Sequence, residues 1–193
     1  MKNLILILTI LISTSVFGQV DSYGRIDYQK FDKKLFDSLL LKEVNNRRFE
    51  MKLTPLIFDS ICFLSANYQA RVMTFKNVIK QIHDVNMDGV KLSSPTDRFE
   101  YFNDINQVLI ADKKQFISEN YIGINIGVKS KTFTYERLVN FLLDEFFVGD
   151  EITENLYSNF GLEELYGAFS TELKLSDDGY VYDIFVTNVI ASK

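Results

Sequence analysis

The chain has 193 residues, a formal net charge of -5, a single cysteine and a single histidine. This length fits one domain with a sizeable core, which 17 phenylalanines and 10 tyrosines can fill. The acidic balance argues against binding to nucleic acid, which needs clustered lysine and arginine, and the lone Cys62 and lone His83 exclude an intramolecular disulfide, a CxxC cluster and a two-histidine HExxH zinc site.

The first 18 residues have the pattern of a secretory signal peptide. Lys2 supplies a positive charge, residues 4–11 are apolar except for Thr9, and small residues precede Gly18. The apolar run is shorter than the roughly 20 residues of a membrane-spanning helix. We therefore expect a signal peptide over residues 1–18, a short lead-in over 19–29, and a secreted or periplasmic protein with no transmembrane span. An uncleaved N-terminal anchor is the alternative.

Two helices are predicted next, separated by a proline. From about Tyr28, apolar residues recur at the helical spacing and form one broad apolar face. Pro55 ends this pattern because it cannot continue a helix, and it biases Thr54 toward extended backbone. A second helix is predicted to begin near Asp59, which is an acceptable N-cap residue.

The region from His83 to Ser118 is rich in Gly, Asn, Asp and Ser, so we predict a loop with one or two short helical turns. Residues 121–128 then alternate in the manner of a strand. Thr134 is a suitable N-cap for a third helix that runs to about Phe147.

The chain is predicted to end in a β-hairpin. Asp178-Gly179 lies between two β-rich runs, at about 164–174 and 180–190, and this dipeptide is a strong hairpin signal. The order of two helices, a strand, a helix and a hairpin predicts an α+β domain. In this fold class, helices cover a small, mostly antiparallel sheet.

Two groups of residues are candidates for chemistry on their own pattern. His83 is either an acid–base residue or an ordinary surface or packed side chain. Residues 84–89 match the first half of a calcium loop, D-x-N-x-D-G, but Pro95 stands where a bidentate glutamate should close it. The same residue types are common in turns. A divalent cation is therefore one alternative, and the cofactor stays unknown.

The connector NNRRFEMKLTPL, residues 45–56, gives the clearest link to a known family. Asn45 and Arg48 fit an Asn-x-x-Arg pair, Leu53-Thr54-Pro55-Leu56 fits a Leu-rich connector, and Phe58-Asp59 fits an aromatic-Asp pair. A following helix has the spacing Ala-x-x-x-Ala-x-x-Met. The chain resembles the CAP superfamily (cysteine-rich secretory proteins, antigen 5 and pathogenesis-related 1), and within it the disulfide-free bacterial SCP-like domains.

The resemblance implies an α-β-α sandwich over residues 30–191, with a central cleft. It places His83 and Glu119 as cleft or ligand-binding residues and Arg98 in the loop between them. The second histidine of the family cleft cannot exist here. One imidazole with scattered carboxylates is a poor zinc site, so the metal is unknown and no catalytic residue is assigned.

The resemblance thus implies a secreted binding or interaction module with a degenerate cleft, for an unidentified small-molecule, lipid, peptide or glycan ligand. The alternative is a metal-dependent, protease-like hydrolase with His83 as base and Glu119 as acid or orienting group. A structural envelope protein without pocket chemistry is a third interpretation. For the connector, we predict that Asn45 and Arg48 bond to backbone carbonyls.

Overall fold

The computed structural model describes residues 25–77, 85–87, 90–92, 94–106, 114–127, 133–145 and 155–193. The helices of this part are α1 (Lys33–Glu50), α2 (Ser60–Lys76), α3 (Pro95–Asn106) and α4 (Tyr135–Glu145). The strands are β1 (Leu56–Phe58), β2 (Val85–Met87), β3 (Val90–Leu92), β4 (Gln115–Gly127), β5 (Leu165–Leu175) and β6 (Val181–Ser192). Among the described residues, no helix combines the length and apolarity needed to cross a membrane. The predicted signal peptide lies outside them.

One sheet organises the domain, with the strand order β1-β5-β6-β4. β6 pairs antiparallel with both β4 and β5, whereas the short β1 is parallel to the start of β5. The predicted terminal hairpin is confirmed. Its turn places Gly179 at φ +73, a left-handed conformation that glycine adopts without a side-chain clash.

Helices cover both faces of this sheet. On β6, Ile184 and Val186 pack in a cluster that includes residues of α1 and α4, whereas Val189 and Ala191 pack in a cluster with residues of α2 and α3. Successive strand side chains point to opposite faces. It follows that α1 and α4 lie on one face and α2 and α3 on the other, and the predicted α+β domain with helices over a mostly antiparallel sheet is confirmed.

Local capping explains where three of the helices begin. The Asp59 carboxylate accepts hydrogen bonds from the backbone N–H groups of Ile61 and Cys62, as predicted. The Thr134 hydroxyl accepts one from Arg137 N, also as predicted. The first helix begins later than predicted, because Asp32 caps it and the residues Tyr28–Lys30 form a separate 3-10 turn.

The prediction of a loop with short turns between His83 and Ser118 is wrong for residues 95–106, which form α3. Ser94 accepts a hydrogen bond from Asp97 N at 3.0 Å, and Pro95 occupies the first helical position. A serine cap followed by proline is a favoured helix start, since proline's missing N–H is not needed there. In the same region, β2 and β3 pair antiparallel.

Arg48 is the polar centre of the connector between α1 and α2, and it is fully buried. Its Nε donates to Thr54 O at 2.7 Å, and its Nη1 donates to Leu156 O at 2.7 Å and Ser158 O at 3.0 Å. Its Nη2 donates to Asn159 Oδ1 at 2.9 Å. Arg48 therefore joins the end of α1, the connector and the segment that leads into β5.

Asn45 holds the strand that follows the connector. Its Nδ2 donates to Leu56 O at 2.9 Å, and its Oδ1 accepts from Leu56 N at 2.7 Å. The side-chain amide thereby takes the place of a neighbouring strand on the outer edge of β1. The prediction that Asn45 and Arg48 tie down the connector through bonds to backbone carbonyls is confirmed.

Replacing Arg48 with lysine should lower the free energy of unfolding by about 2–4 kcal/mol, because one ammonium group cannot reach four acceptors in this geometry. Urea unfolding of the purified protein measures the change. The control is Arg47→Lys, whose half-buried side chain contacts Glu43 and Asp144, and which should cost less than about 1 kcal/mol. Equal losses in the two variants would contradict the role given to Arg48.

Candidate functional site

The two predicted cleft residues can be placed only in part. His83 lies outside the described residues. Glu119 lies on β4 opposite Val189 of β6, which puts its side chain on the face covered by α2 and α3. Its Oε1 accepts a hydrogen bond from Nη2 of Arg98 at 2.5 Å.

The Arg98–Glu119 pair is buried, with the two side chains 0% and 1% exposed. The resemblance predicts Arg98 in a loop, and this is wrong: Arg98 lies in the first turn of α3, which begins at Pro95 after the Ser94 cap. A buried ion pair joining a helix to a strand holds the two together, and breaking it leaves an uncompensated charge. In the described part of the chain, Glu119 therefore connects β4 to α3 through Arg98.

Further buried polar groups occupy the same layer. Within the described part of the chain, Nε and Nη1 of Arg98 and both amide atoms of Gln69 on α2 have no hydrogen-bond partner. Buried polar atoms of folded proteins generally contact protein or ordered water. The layer between the sheet and the α2–α3 pair thus contains buried polar atoms beside its apolar cluster.

Among the described residues, no group of three or more His, Cys, Asp or Glu is placed to hold a metal ion. Cys62 is buried on α2, and burial raises the pKa of its thiol well above the ordinary value, with nearby Asp59 adding to the effect. A thiol of this kind is inert and acts as a small packing residue.

A concave site lies at the β5 side of the sheet. It is a groove of about 870 Å³, which we name the α1–β5 groove. One wall is the α1 side from Phe31 to Asn45, the other comprises Phe58, Phe63 and Asn67, and the floor is Phe169–Thr171. Its volume falls within the range of small-molecule sites in proteins.

The polar groups inside the groove are bonded to each other. The Thr171 hydroxyl donates to Asp37 Oδ1 at 2.6 Å, and Asn67 Nδ2 lies 3.0 Å from the Ser170 hydroxyl. At one end, Lys33 Nζ contacts the Glu172 carboxylate at 2.9 Å. The surface that faces the groove is therefore chiefly apolar. The apolar lining residues are Phe31, Leu41, Phe58, Phe63 and Phe169.

The groove lies along a strand edge that is closed. β1 pairs only with residues 165–167 of β5, so the rest of β5 has no neighbouring strand on this side in the described sheet. Ser170 and Thr171 are nevertheless each only 1% exposed. Because side chains of α1 and α2 cover this edge, it is not open to another strand.

Asp37 is a titratable residue of the α1 wall of the groove, where it contacts Thr171 of the floor. Burial raises the pKa of its carboxyl to about 7, although the hydrogen bonds from Thr171 and the charge of Lys33 act in the opposite direction. The carboxyl can therefore exchange a proton near neutral pH.

Comparison with known proteins adds little to this picture. Neither a scan against protein-family models nor a search of curated proteins gave a match. Among solved structures, the chain is similar to an outer surface protein from Borrelia burgdorferi, with 18% sequence identity and a TM-score of 0.49. The match covers 84% of this chain and 97% of that chain. A likeness at this level carries no argument about function.

Sequence reasoning missed the groove. Its walls come from α1, from the β1–α2 junction and from β5, which are brought together only by the fold. One signal was available on α1, where Lys34, Ser38, Leu41 and Asn45 follow the helical spacing but mix polar and apolar types. A mixed stripe of this kind does not distinguish a groove wall from an ordinary half-buried face.

Replacing Asp37 with asparagine should remove a pH dependence of stability. The folded protein keeps the proton up to about pH 7, whereas the unfolded chain releases it near 3.8. The stabilisation is therefore complete below about pH 4 and is lost as the pH rises through about 7. Relative to Asp37→Asn, the free energy of unfolding of the wild type should fall by roughly 2–4 kcal/mol across this pH range.

Urea unfolding at several pH values measures this difference. Asp177→Asn, in the exposed turn before β6, is the control and should leave the pH dependence of the wild type in place. If the free energies of unfolding of wild type and Asp37→Asn differ by the same amount at all pH values, the raised pKa assigned to Asp37 is wrong.

Replacing Glu119 with leucine should lower the free energy of unfolding by about 3–5 kcal/mol, because Arg98 is left buried without its partner. The double variant Arg98→Met/Glu119→Leu removes both charges and should recover at least half of that loss. Chemical unfolding of the three proteins measures both values. A loss below about 1 kcal/mol for the single variant would show that the pair does not hold α3 on β4.

Proposed function

We propose that the protein is a secreted, CAP-like binding or interaction module that takes its ligand in the α1–β5 groove, and that its central cleft is degenerate. The observation that carries the proposal is the groove itself, about 870 Å³ in volume with a largely apolar lining. Pockets of this size, lined by apolar and aromatic side chains, are the usual form of ligand sites in proteins.

Two further observations support the family and location in this proposal. Asn45 and Arg48, which carry the resemblance to the CAP superfamily, are the residues that hold the connector and β1 in place. The pattern of residues 1–18 is typical of an exported protein, which supports a secreted or periplasmic location.

The alternative, a metal-dependent hydrolase, receives less support from the described geometry. It requires the Glu119 carboxylate to reach a substrate or orient His83. That carboxylate is bonded to Arg98 and is 1% exposed. Binding without catalysis is the function that the described residues favour.

A variant that fills the groove tests the proposal. Ser38 is an exposed residue of α1 that lines the groove, and Ser38→Trp should occupy part of its volume. Glu50→Trp places the same ring on an exposed position of α1 away from the groove and is the matched control. The probes are a fatty acid, a set of linear peptides and a set of oligosaccharides.

The measurement is the melting temperature of the mature protein with each probe. At a concentration about 100-fold above its dissociation constant, a ligand should raise the melting temperature of wild type and Glu50→Trp by about 5–10 °C. Ser38→Trp should show little or no shift. If no probe class shifts the wild type, or if Ser38→Trp shifts as much as the control, the proposed site is wrong.

A further inference from the structure

We infer that the end of α1 and the turn before β5 form one exposed apolar surface that binds a second copy of this chain. We name this surface the connector patch. None of its large apolar residues lines the α1–β5 groove, so the inference goes beyond the proposed function. These residues are Phe49, Met51, Phe160 and Leu162.

Hydrogen bonds bring the two parts of the connector patch together. Asn159 Oδ1 accepts from Nη2 of Arg48 at 2.9 Å and from Thr54 N at 3.2 Å. Phe49 is the residue after Arg48 in the chain, and it lies in the last turn of α1. Phe160 is the residue after Asn159. The two exposed rings therefore belong to backbone segments that are bonded to each other, and they form parts of one surface.

The connector patch is large for an exposed apolar surface. Phe49 is 82% exposed, Met51 is 55% exposed, and Phe160 and Leu162 are each 37% exposed. If a fully exposed large side chain presents about 200 Å², these four present roughly 400 Å². A contiguous apolar patch of this size on a folded chain often marks an interaction site.

Lys52 occupies a position in this patch that favours glycine. It follows Met51, the C-cap residue of α1, and its φ of 62 lies in the left-handed region. Glycine is the usual residue after a C-cap because it has no side chain to clash in this conformation. Lysine therefore makes this helix end less stable than glycine would, and its side chain is exposed.

Phe160 has the same property in the turn before β5. Its φ is 48, the φ of Gly161 is 71, and Leu162 N donates to Asn159 O at 2.7 Å. Two successive positive φ values are typical of a type I′ turn, whose first central position favours asparagine or glycine. A phenylalanine is strained there, and strained residues cluster at functional sites. Both strained side chains of the patch are exposed, which indicates that this surface makes a contact.

The charges around the patch favour a second copy of the chain as the partner. Lys52 is an exposed positive residue, and Glu50 and Glu163 are exposed negative residues. In a contact with two-fold symmetry the same patch faces itself, so the lysine of each copy can meet a glutamate of the other. An anionic membrane would instead be repelled by these glutamates and by the net charge of -5.

The available area suits a dimer of moderate affinity. The exposed polar residues that adjoin the apolar side chains bring the surface to roughly 800 Å² per copy, which is the standard size of a specific interface. Half of that area is apolar, and the rest forms a charged rim. We therefore expect a dissociation constant of about 1–100 µM.

Analytical ultracentrifugation of the purified protein tests the inference. The wild type should pass from monomer to dimer as its concentration rises from about 1 to 100 µM. Phe49→Gln should weaken this association about tenfold, because the most exposed ring of the patch is lost. Phe75→Gln is the matched control and should associate as the wild type does. Phe75 is also an exposed ring, at 68%, in the last turn of its helix, α2, and lies outside the patch.

Lys52→Gly separates a role in association from a role in folding. Because glycine relieves the left-handed strain, the melting temperature of the monomer should rise by about 2–4 °C. Because the lysine charge is lost from the rim, association should weaken about threefold, the effect expected for an exposed ion pair. A residue with only a structural role would not weaken association while it stabilises the fold.

Four outcomes would contradict the inference. If the wild type stays monomeric throughout the concentration range, the patch does not bind a second copy. If Phe49→Gln associates as tightly as Phe75→Gln, the dimer forms through another surface, and if Lys52→Gly associates as the wild type does, the charge pairing is wrong. Capture of a monomeric protein by phosphatidylglycerol vesicles would replace the second copy with a membrane surface. The groove is tested separately by Ser38→Trp, so the proposed function does not depend on these results.

Discussion

The buried guanidinium of Arg48 is the constraint on which the rest of the structure depends. It bonds to the connector at Thr54 and to the segment before β5 at Leu156 and Ser158, so three parts of the chain meet at one side chain. This meeting sets β1 beside the start of β5, where Gly167 leaves room for Leu56. Because β1 is short and ends at the cap of α2, the connector also determines where the groove begins.

Elements with strong local signals could be predicted from the sequence. Asp59 and Thr134 mark helix starts through their own side chains, and the Asp178-Gly179 turn marks the hairpin. β1 could not be predicted in this way, because a three-residue strand is stabilised by Asn45 and by pairing with β5 rather than by its own pattern. The wrong prediction at α3 is different in kind, because its serine cap and Pro95 are themselves local signals of a helix start.

The candidate site was harder to predict than the fold. The motif identifies Glu119 only as a candidate, and its contacts are set by Arg98, which lies 21 positions earlier and meets it only when α3 packs on β4. The groove depends still more on tertiary structure, because α1 and β5 contribute residues more than a hundred positions apart, such as Asp37 and Thr171. Periodicity identifies the buried side of a helix, but it does not show which partner the other side faces.

The groove is a consequence of how the sheet edge is protected. An edge strand with unpaired backbone groups invites another strand, and proteins prevent this by covering the edge. Here Asp37 and Asn67 bond to Thr171 and Ser170, and Lys33 bonds to Glu172. The side chains that cover the edge come from α1 and α2, which lie on opposite faces of the sheet. The α1–β5 groove lies between these two helices, and Asp37 and Asn67 within it are already bonded to β5. The burial that closes the edge also raises the pKa of Asp37. The same arrangement that excludes a strand therefore leaves the α1–β5 groove, with its largely apolar lining, at this edge of the sheet.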